Sequence, residues 1–389
     1  MWRRLALWIL VLGAFGAGLL LGGQITPALA GTGQQIDAAL APVQETWEII
    51  QEQFVDPPEP EALVEAALNG LMAALDDPYS LYMDPDTFQI ANSDLEGEFE
   101  GIGATVQLDE ETGALVIVST LPGSPAEAAG LRRGDAIVQV DGVDVRGISQ
   151  AKIIGAIRGP EGTTVELGIL RSGATEMLIV PIVRARIALA TVEGKILDGD
   201  IAYIRLFQFG EDTADQLREQ LQTLEVENRA GLILDLRGNP GGFLTSAVDV
   251  ASEFLQEGVI LTERLRDHEQ VYRASGVASA PTVPMIVLVD EGSASGAELV
   301  AAALQDHERA TIVGTRTFGK GTVQTWRELS NGGGIRVTIA RWYTPAGRSI
   351  HEVGVSPDVF VEQDADVPET DAQLQAGINL LRQRVPELR

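Results

Sequence analysis

A chain of 389 residues, 45% of them hydrophobic, is long enough for two or three domains and apolar enough to fill their cores. Its formal charge of −28 argues against nucleic acid or an anionic membrane surface as a partner of the body. The absence of cysteine excludes disulfides, thiol catalysis and thiolate metal sites; with only His268, His307 and His351, widely scattered, no metal and no cofactor is expected.

At the N-terminus Arg3 and Arg4 precede an uncharged run from Leu5 to Gly23, and small residues follow as far as Ala28-Leu29-Ala30, the layout of an export signal. The run also approaches the ~20 residues that span a bilayer, so an uncleaved membrane anchor fits it too. Residues 1–30 therefore predict a protein of the cell envelope, periplasmic or extracellular, either secreted or anchored by this segment. Val43, Trp47, Ile50 and Phe54 then recur at helical spacing, as do Val64, Leu68, Leu71 and Leu75, with the breaker Asp56-Pro57-Pro58-Glu59-Pro60 between them. Their stripes are expected to pack on the rest of the chain or on a second copy, so the helical region 31–96 suits a homodimer as well as a monomer. Asp76-Asp77-Pro78-Tyr79 closes the second helix, because the residue before proline disfavours helical backbone.

From about Gly97 the pattern changes to short β-type runs at Ala104–Leu108, Leu115–Thr120, Ala136–Val140, Thr164–Leu170 and Glu176–Val183, with a helix around Ile148–Ile157. These form a compact module over 97–185. From Ile201 strands alternate with helices. The apolar strands Gly231–Leu236 and Met285–Asp290 each lead into helical periodicity, which predicts an α/β core with a largely buried sheet over 186–362. A last helix, Asp371–Arg384, lies in the closing segment 363–389. The fold class expected is multidomain α+β with an α/β core.

The stretch GTRTFGKGT, Gly314 to Thr322, comes close to a phosphate-binding P-loop. Gly321 stands where that loop needs Ser or Thr, however, and Thr322 to Trp326 alternates like a strand instead of opening a helix, which argues against a nucleotide. Ser295 lies where the strand from Met285 turns into the helix-like Leu299–Leu304. Such a turn presents a hydroxyl at the edge of a sheet, with the following N–H aimed at the same space. A serine before an apolar helical run is also an ordinary N-cap. His307, on the helix after Ser295, is about three turns away and too far to take its proton; His268 and His351 are left open by the sequence.

In the β-rich module, Gly101-Ile102-Gly103-Ala104, then Gly123-Ser124-Pro125-Ala126 running to Gly134-Asp135, then Val140-Asp141-Gly142, together resemble a PDZ domain. The first stretch occupies the place of the loop whose backbone N–H groups hold a terminal carboxylate while the peptide adds a strand. Asp235-Leu236-Arg237-Gly238-Asn239-Pro240-Gly241-Gly242, the Ser-Ala-Ser block ending at Ser295, and Phe318-Gly319-Lys320-Gly321-Thr322-Val323-Gln324, with Lys320 25 residues after Ser295, extend the likeness. The chain resembles a carboxyl-terminal processing (tail-specific) protease, whose protease core is crotonase-like.

That resemblance implies an exported serine endopeptidase that cuts proteins near their C-termini. Ser295 would attack the peptide carbonyl, Lys320 would accept its proton, and Gln324 would orient the lysine, a Ser-Lys variant of serine catalysis. Backbone N–H groups of Gly241 and Gly296 would hold the oxyanion. Relatives usually carry alanine and serine at the positions of Gly296 and Ala297, which implies a looser hole here. The PDZ module would take substrates with apolar C-termini, and Arg158 is a candidate regulatory contact between module and protease. A lysine acts as base only if burial lowers its pKa from the ordinary ~10.4, and Phe318 and Val323 are expected to supply apolar cover. The competing reading is a non-catalytic envelope scaffold that binds C-termini.

Overall fold

The computed structural model describes residues 26–96, 98–109, 112–171, 173, 176–188, 191–363 and 371–384. The uncharged run Leu5 to Gly23 lies outside them, and no helix among the described residues is long and apolar enough to cross a membrane. The chain divides into two compact units, Met1–Gly70 and Leu71–Arg389.

The first unit holds the helix Thr26–Gln53 and most of the helix Pro60–Ala73, separated by the proline-rich breaker. Pro60 opens the second helix, a position where its missing N–H costs nothing. Of the two coverings expected for the apolar stripes, the rest of the chain or a second copy, the single chain supplies none at several positions. Val43, Phe54 and Val64 are exposed, and the helix Pro60–Ala73 buries no residue.

In the second unit, β1 (Leu81–Met83) is followed by a helix that the sequence reading missed, Pro85–Glu96. Its signal is local: Asp84 accepts the N–H groups of Asp86 and Thr87, and proline takes the first turn. β2 (Glu98–Gly101) leads into the β-rich module, made of β3 (Ala104–Leu108), β4 (Leu115–Thr120), β5 (Ala136–Val140), β6 (Val143–Asp144), β7 (Thr164–Leu170) and β8 (Leu178–Val183). These strands form one antiparallel sheet in the order β3-β4-β5-β7-β8, with β6 paired to β5. Period-two alternation places Val165, Leu167 and Ile169 of β7 in a core closed by Ile153 and Ile157 of the helix Gln150–Ile157. The chain leaves through β9 (Ala185–Ala188), which pairs back with β2, so entry and exit of the module are tied together.

The sheet of the α/β core has the order β10-β11-β12-β15-β16-β19, from β10 (Val192–Leu197), β11 (Ile201–Leu206), β12 (Gly231–Asp235), β15 (Met285–Val289), β16 (Thr311–Gly314) and β19 (Val359–Phe360). All its pairings are parallel except β10 with β11. Every residue of β12 and β15 is buried, as strands covered on both faces require. Leu232, Leu234, Met285 and Val287 face the larger core with the helices Leu244–Ser252 and Gly296–Asp306. Ile233, Ile286 and Leu288 face the helix Ala372–Arg384 through Leu381. Gly231 is needed there, because a Cβ would lie 2.8 Å from Leu381 Cδ1. Each fully buried aliphatic side chain contributes about 1.5–3 kcal/mol, so the sheet is a rigid platform for the loops at its ends.

A second sheet is antiparallel throughout. It contains β13 (Val259–Leu265), β14 (Glu269–Arg273), β17 (Thr322–Glu328) and β18 (Gly334–Tyr343), with β1 on the far side of β18. β1 is contributed from more than 200 residues earlier in the chain, and it brings the preceding Asp77–Ser80 turn against β17 and β18.

Candidate active site

The three carboxyl ends of β12, β15 and β16 deliver three loops to one place, the position where open parallel sheets bind ligands. The loop after β12 carries Gly238 to Gly242, the loop after β15 carries Ser295, and the loop after β16 carries Lys320. Ser295, Lys320, Gln324, Gly241 and Gly296 line one cavity of about 270 Å³, together with Gln208, Trp326 and Arg336.

Ser295 is the N-cap of the helix Gly296–Asp306 and has φ 52° and ψ −111°, a conformation that costs a non-glycine residue on the order of 1–3 kcal/mol. Ser295 thus holds the N-cap position, with its N–H donated to Glu298, and its backbone has the positive φ of a strained strand-to-helix turn. The strain is held by a buried carboxylate. Glu298 is 0% exposed and accepts the N–H groups of Ser295 (2.9 Å), Gly319 (2.7 Å) and Lys320 (2.8 Å) and the hydroxyl of Thr317 (2.5 Å). Burial pushes its pKa up, and these four donors oppose the rise. One side chain therefore fixes the serine turn and the lysine loop to each other. Sequence reasoning passed over Glu298, although a capping-box glutamate three residues after Ser295 was a readable signal.

The serine loop is fixed at its other end by Asp290, which accepts the N–H groups of Gly238 (2.8 Å) and Gly292 (3.0 Å), while Ser293 donates to the Leu236 carbonyl (2.8 Å). Asp235 and Arg237 of the Asp-Leu-Arg block hold the neighbouring loop: Arg237 is paired with both Asp235 and Asp371, and Tyr203 donates to Asp235.

Lys320 is half-buried. Burial, and next the positive charge of Arg336, push its pKa below the ordinary lysine value, against the opposite pull of Glu298 and Asp77. The cover differs from the sequence expectation. Phe318 is 59% exposed, and the ring that faces the amine is Tyr79, whose centroid lies 5.4 Å from Lys320 Nζ. No hydrogen bond joins the side chains of Ser295 and Lys320 among the described residues. Gln324 donates through Nε2 to the hydroxyls of Thr322 (2.9 Å) and Thr338 (3.1 Å), which fixes its amide. Gly321 answers the P-loop comparison: a Cβ there would lie 2.7 Å from the backbone nitrogen of His351, so neither Ser nor Thr fits after the lysine.

Gly241, expected to offer its N–H to an oxyanion, lies in the cavity with that N–H already engaged. It lies against the serine, since a Cβ on it would sit 2.8 Å from Ser295 Cβ, but its N–H donates to Asn239 Oδ1 (2.9 Å) in the local turn of the Asn-Pro-Gly sequence. An oxyanion would compete with that bond. Among the described residues, the N–H groups of Gly242 and Gly296 have no hydrogen-bond partner. The space beside Gly296 is filled. Phe209 Cδ2 and Ala247 Cβ lie 3.1 Å and 3.2 Å from where a methyl would be, so neighbours occupy that space.

The histidines separate clearly. His307 bonds the Val259 carbonyl, His268 is exposed beside Asp267, and His351 packs against the Tyr79 ring at 6.1 Å between centroids. In the β-rich module, Ile102, Gly103, Ala104 and Val106 face Ile154 and Ile157 across a small groove closed at one end by Phe99 and Arg158. Gly103, at φ 73°, would place a Cβ 2.5 Å from Ser124 Cβ. Gly101 shares this turn. Arg158 lies 4.4 Å above the Phe99 ring, on the strand pair that joins the module to the core.

Comparison with known proteins matches residues 200–361 to peptidase family S41, residues 25–87 to the activating protease CtpB N-terminal domain and residues 92–170 to the PDZ domain. The chain is 39% identical over 330 residues to the carboxy-terminal-processing protease of Bartonella bacilliformis, covering 83% of this chain and 75% of that one. It is 36% identical over 340 residues to the carboxy-terminal processing protease CtpA of Bacillus subtilis, covering 86% and 72%. Among solved structures, the photosystem II D1 C-terminal processing protease superposes with a TM-score of 0.53 at 30% identity, over 89% of this chain and 92% of that one.

Proposed function

The chain belongs to the carboxy-terminal processing proteases of peptidase family S41, serine peptidases that carry a PDZ domain, and from that membership we propose how its own residues work. Ser295 Oγ attacks the scissile carbonyl as Lys320 Nζ takes the hydroxyl proton. The C–N bond then breaks, the amine leaves with the proton returned by Lys320, and Ser295 remains as an ester. Water, deprotonated by the same amine, attacks the ester and frees the serine.

The observation that carries this reading is the Glu298 tie. It draws a strained serine turn and a half-buried, pKa-lowered lysine into one cavity. Gln324, with its Nε2 committed to Thr322 and Thr338, keeps Oε1 to accept from the lysine. Gly296 N–H is one oxyanion donor; its partner is the N–H of Gly242, which is uncommitted, or that of Gly241 once released from Asn239.

In this reading the PDZ groove captures an apolar substrate C-terminus, with Gly101 to Ala104 at the carboxylate and Ile102, Val106, Ile154 and Ile157 around the terminal side chain. Arg158 and Phe99 relay occupancy toward the core. Export by residues 1–30 places the enzyme in the cell envelope, and the exposed stripes at Val43, Phe54 and Val64 provide the surface for a homodimer. Cleavage of an unfolded protein with an apolar tail tests the dyad. Ser295→Ala and Lys320→Ala are expected to abolish it; full cleavage by either variant rejects the assignment.

A further inference from the structure

The lysine loop faces a residue from the opposite end of the unit. Tyr79 belongs to the turn before β1, and its ring centroid lies 5.4 Å from Lys320 Nζ. This placement is built on both sides. Asp76, at φ 49°, reverses the chain, and Asp77 accepts the Tyr79 N–H (3.1 Å) and the Ser80 hydroxyl (2.6 Å). Ser80 Oγ in turn accepts the Thr338 N–H (3.0 Å), and the Tyr79 carbonyl accepts Arg336 Nε (2.9 Å). Behind the ring stands His351, its own ring tilted by 57°. Gly321 admits this arrangement, because any Cβ beside the lysine would strike the His351 backbone.

We propose that Tyr79 is a positioning residue for Lys320: its aromatic face holds the amine over the cavity and stabilises the ammonium formed when the serine proton arrives. The inference rests on Lys320 being the base. An aromatic face attracts a cation through its ring quadrupole, and the attraction strengthens where water is excluded. It therefore opposes burial and the Arg336 charge, both of which disfavour the ammonium. A buried lysine without such a partner would be neutral but too weak a base to carry the proton. The other charged groups around the amine are Arg336 from β18, Glu298 from the serine helix and Asp77. Glu298, Glu352 and Asp77 face Tyr79, and burial with these carboxylates holds its own hydroxyl protonated, above the ordinary tyrosine value.

The test compares the full chain with Tyr79→Leu, Tyr79→Phe and Lys320→Ala over a pH series. Loss of the ring in Tyr79→Leu is expected to lower kcat about tenfold with little change in KM. It is also expected to move the acid limb of kcat/KM down by about half to one pH unit, as the ammonium loses its partner. Tyr79→Phe keeps the ring and should restore both within about twofold. A variant of the same shape, with pentafluorophenylalanine at position 79, reverses the quadrupole and should reproduce the Tyr79→Leu profile even if leucine disturbs folding. Independently of activity, the Lys320 side-chain carbon signals in the Ser295→Ala protein should titrate at lower pH when the ring is removed. A flat position-79 series with an inactive Lys320→Ala overturns this inference alone; an active Lys320→Ala overturns the mechanism beneath it.

Discussion

At the scale of single residues, the site is a set of commitments made by backbone and hydroxyl donors. Glu298 has four of them, and an amide in its place would present N–H where N–H groups already point. Glu298→Gln is therefore expected to cost about 10- to 100-fold in kcat, with an unchanged apparent affinity for tailed peptides, measured by steady-state cleavage and peptide binding. Gly321→Ser, which would complete the P-loop pattern, is expected to destabilise by about 1–3 kcal/mol in denaturant unfolding, because its Cβ meets the His351 backbone. The sign of the lysine's environment is also testable. Arg336 lowers the Lys320 pKa, so Arg336→Met should raise it and move the acid limb of kcat/KM to higher pH, the direction opposite to that expected for Tyr79→Leu. The proposed nucleophile and base were nameable as residues, since a serine at a strand-to-helix turn and a lysine 25 positions later are local patterns. The fate of the Gly241 N–H was not, because an Asn side chain two residues back decides it through rotamer and turn geometry.

At the scale of elements, sequence periodicity placed five strands of the β-rich module and β12 and β15 of the α/β core to within two residues, and the strand beginning at Leu178 rather than Glu176 shows the usual looseness of an end. What it could not supply was register between distant strands. β1 pairs with β18 as Leu81 with Arg336, and that single pairing brings Tyr79 and Asp77 to the lysine. Three residues are too short for a period to be read, so the most distant contributor to the site was silent. The helix Pro85–Glu96 was legible in principle from its Asp-Pro start. In the PDZ groove, Gly103 holds a left-handed backbone against Ser124. Gly103→Val is expected to raise KM for a tailed substrate at least tenfold while leaving cleavage of the same substrate with a blocked tail within about twofold, in a paired kinetic comparison.

At the scale of the molecule, a buried, mostly parallel sheet sets three loop ends side by side, and the antiparallel sheet lines the cavity with residues of β17 and β18. The PDZ domain is inserted upstream and joined to the core through the β2–β9 pair, so it and the S41 core belong to one unit but have separate hydrophobic cores. The sequence announced this division through its change from period two to strand-helix alternation. The exposed N-terminal stripes were announced as apolar, but apolarity alone does not say what covers them. The central claim is that one partly dehydrated amine activates one serine. Single-turnover acylation of Ser295 by a tailed substrate, followed against pH in the wild-type chain and in Lys320→Ala, tests it most directly. The account predicts a wild-type rate that rises to a plateau through a pKa below that of ordinary lysine, and a loss of about 10³-fold or more in the variant, whose residual rate climbs with hydroxide and has no plateau. An unchanged rate and plateau in Lys320→Ala would contradict it.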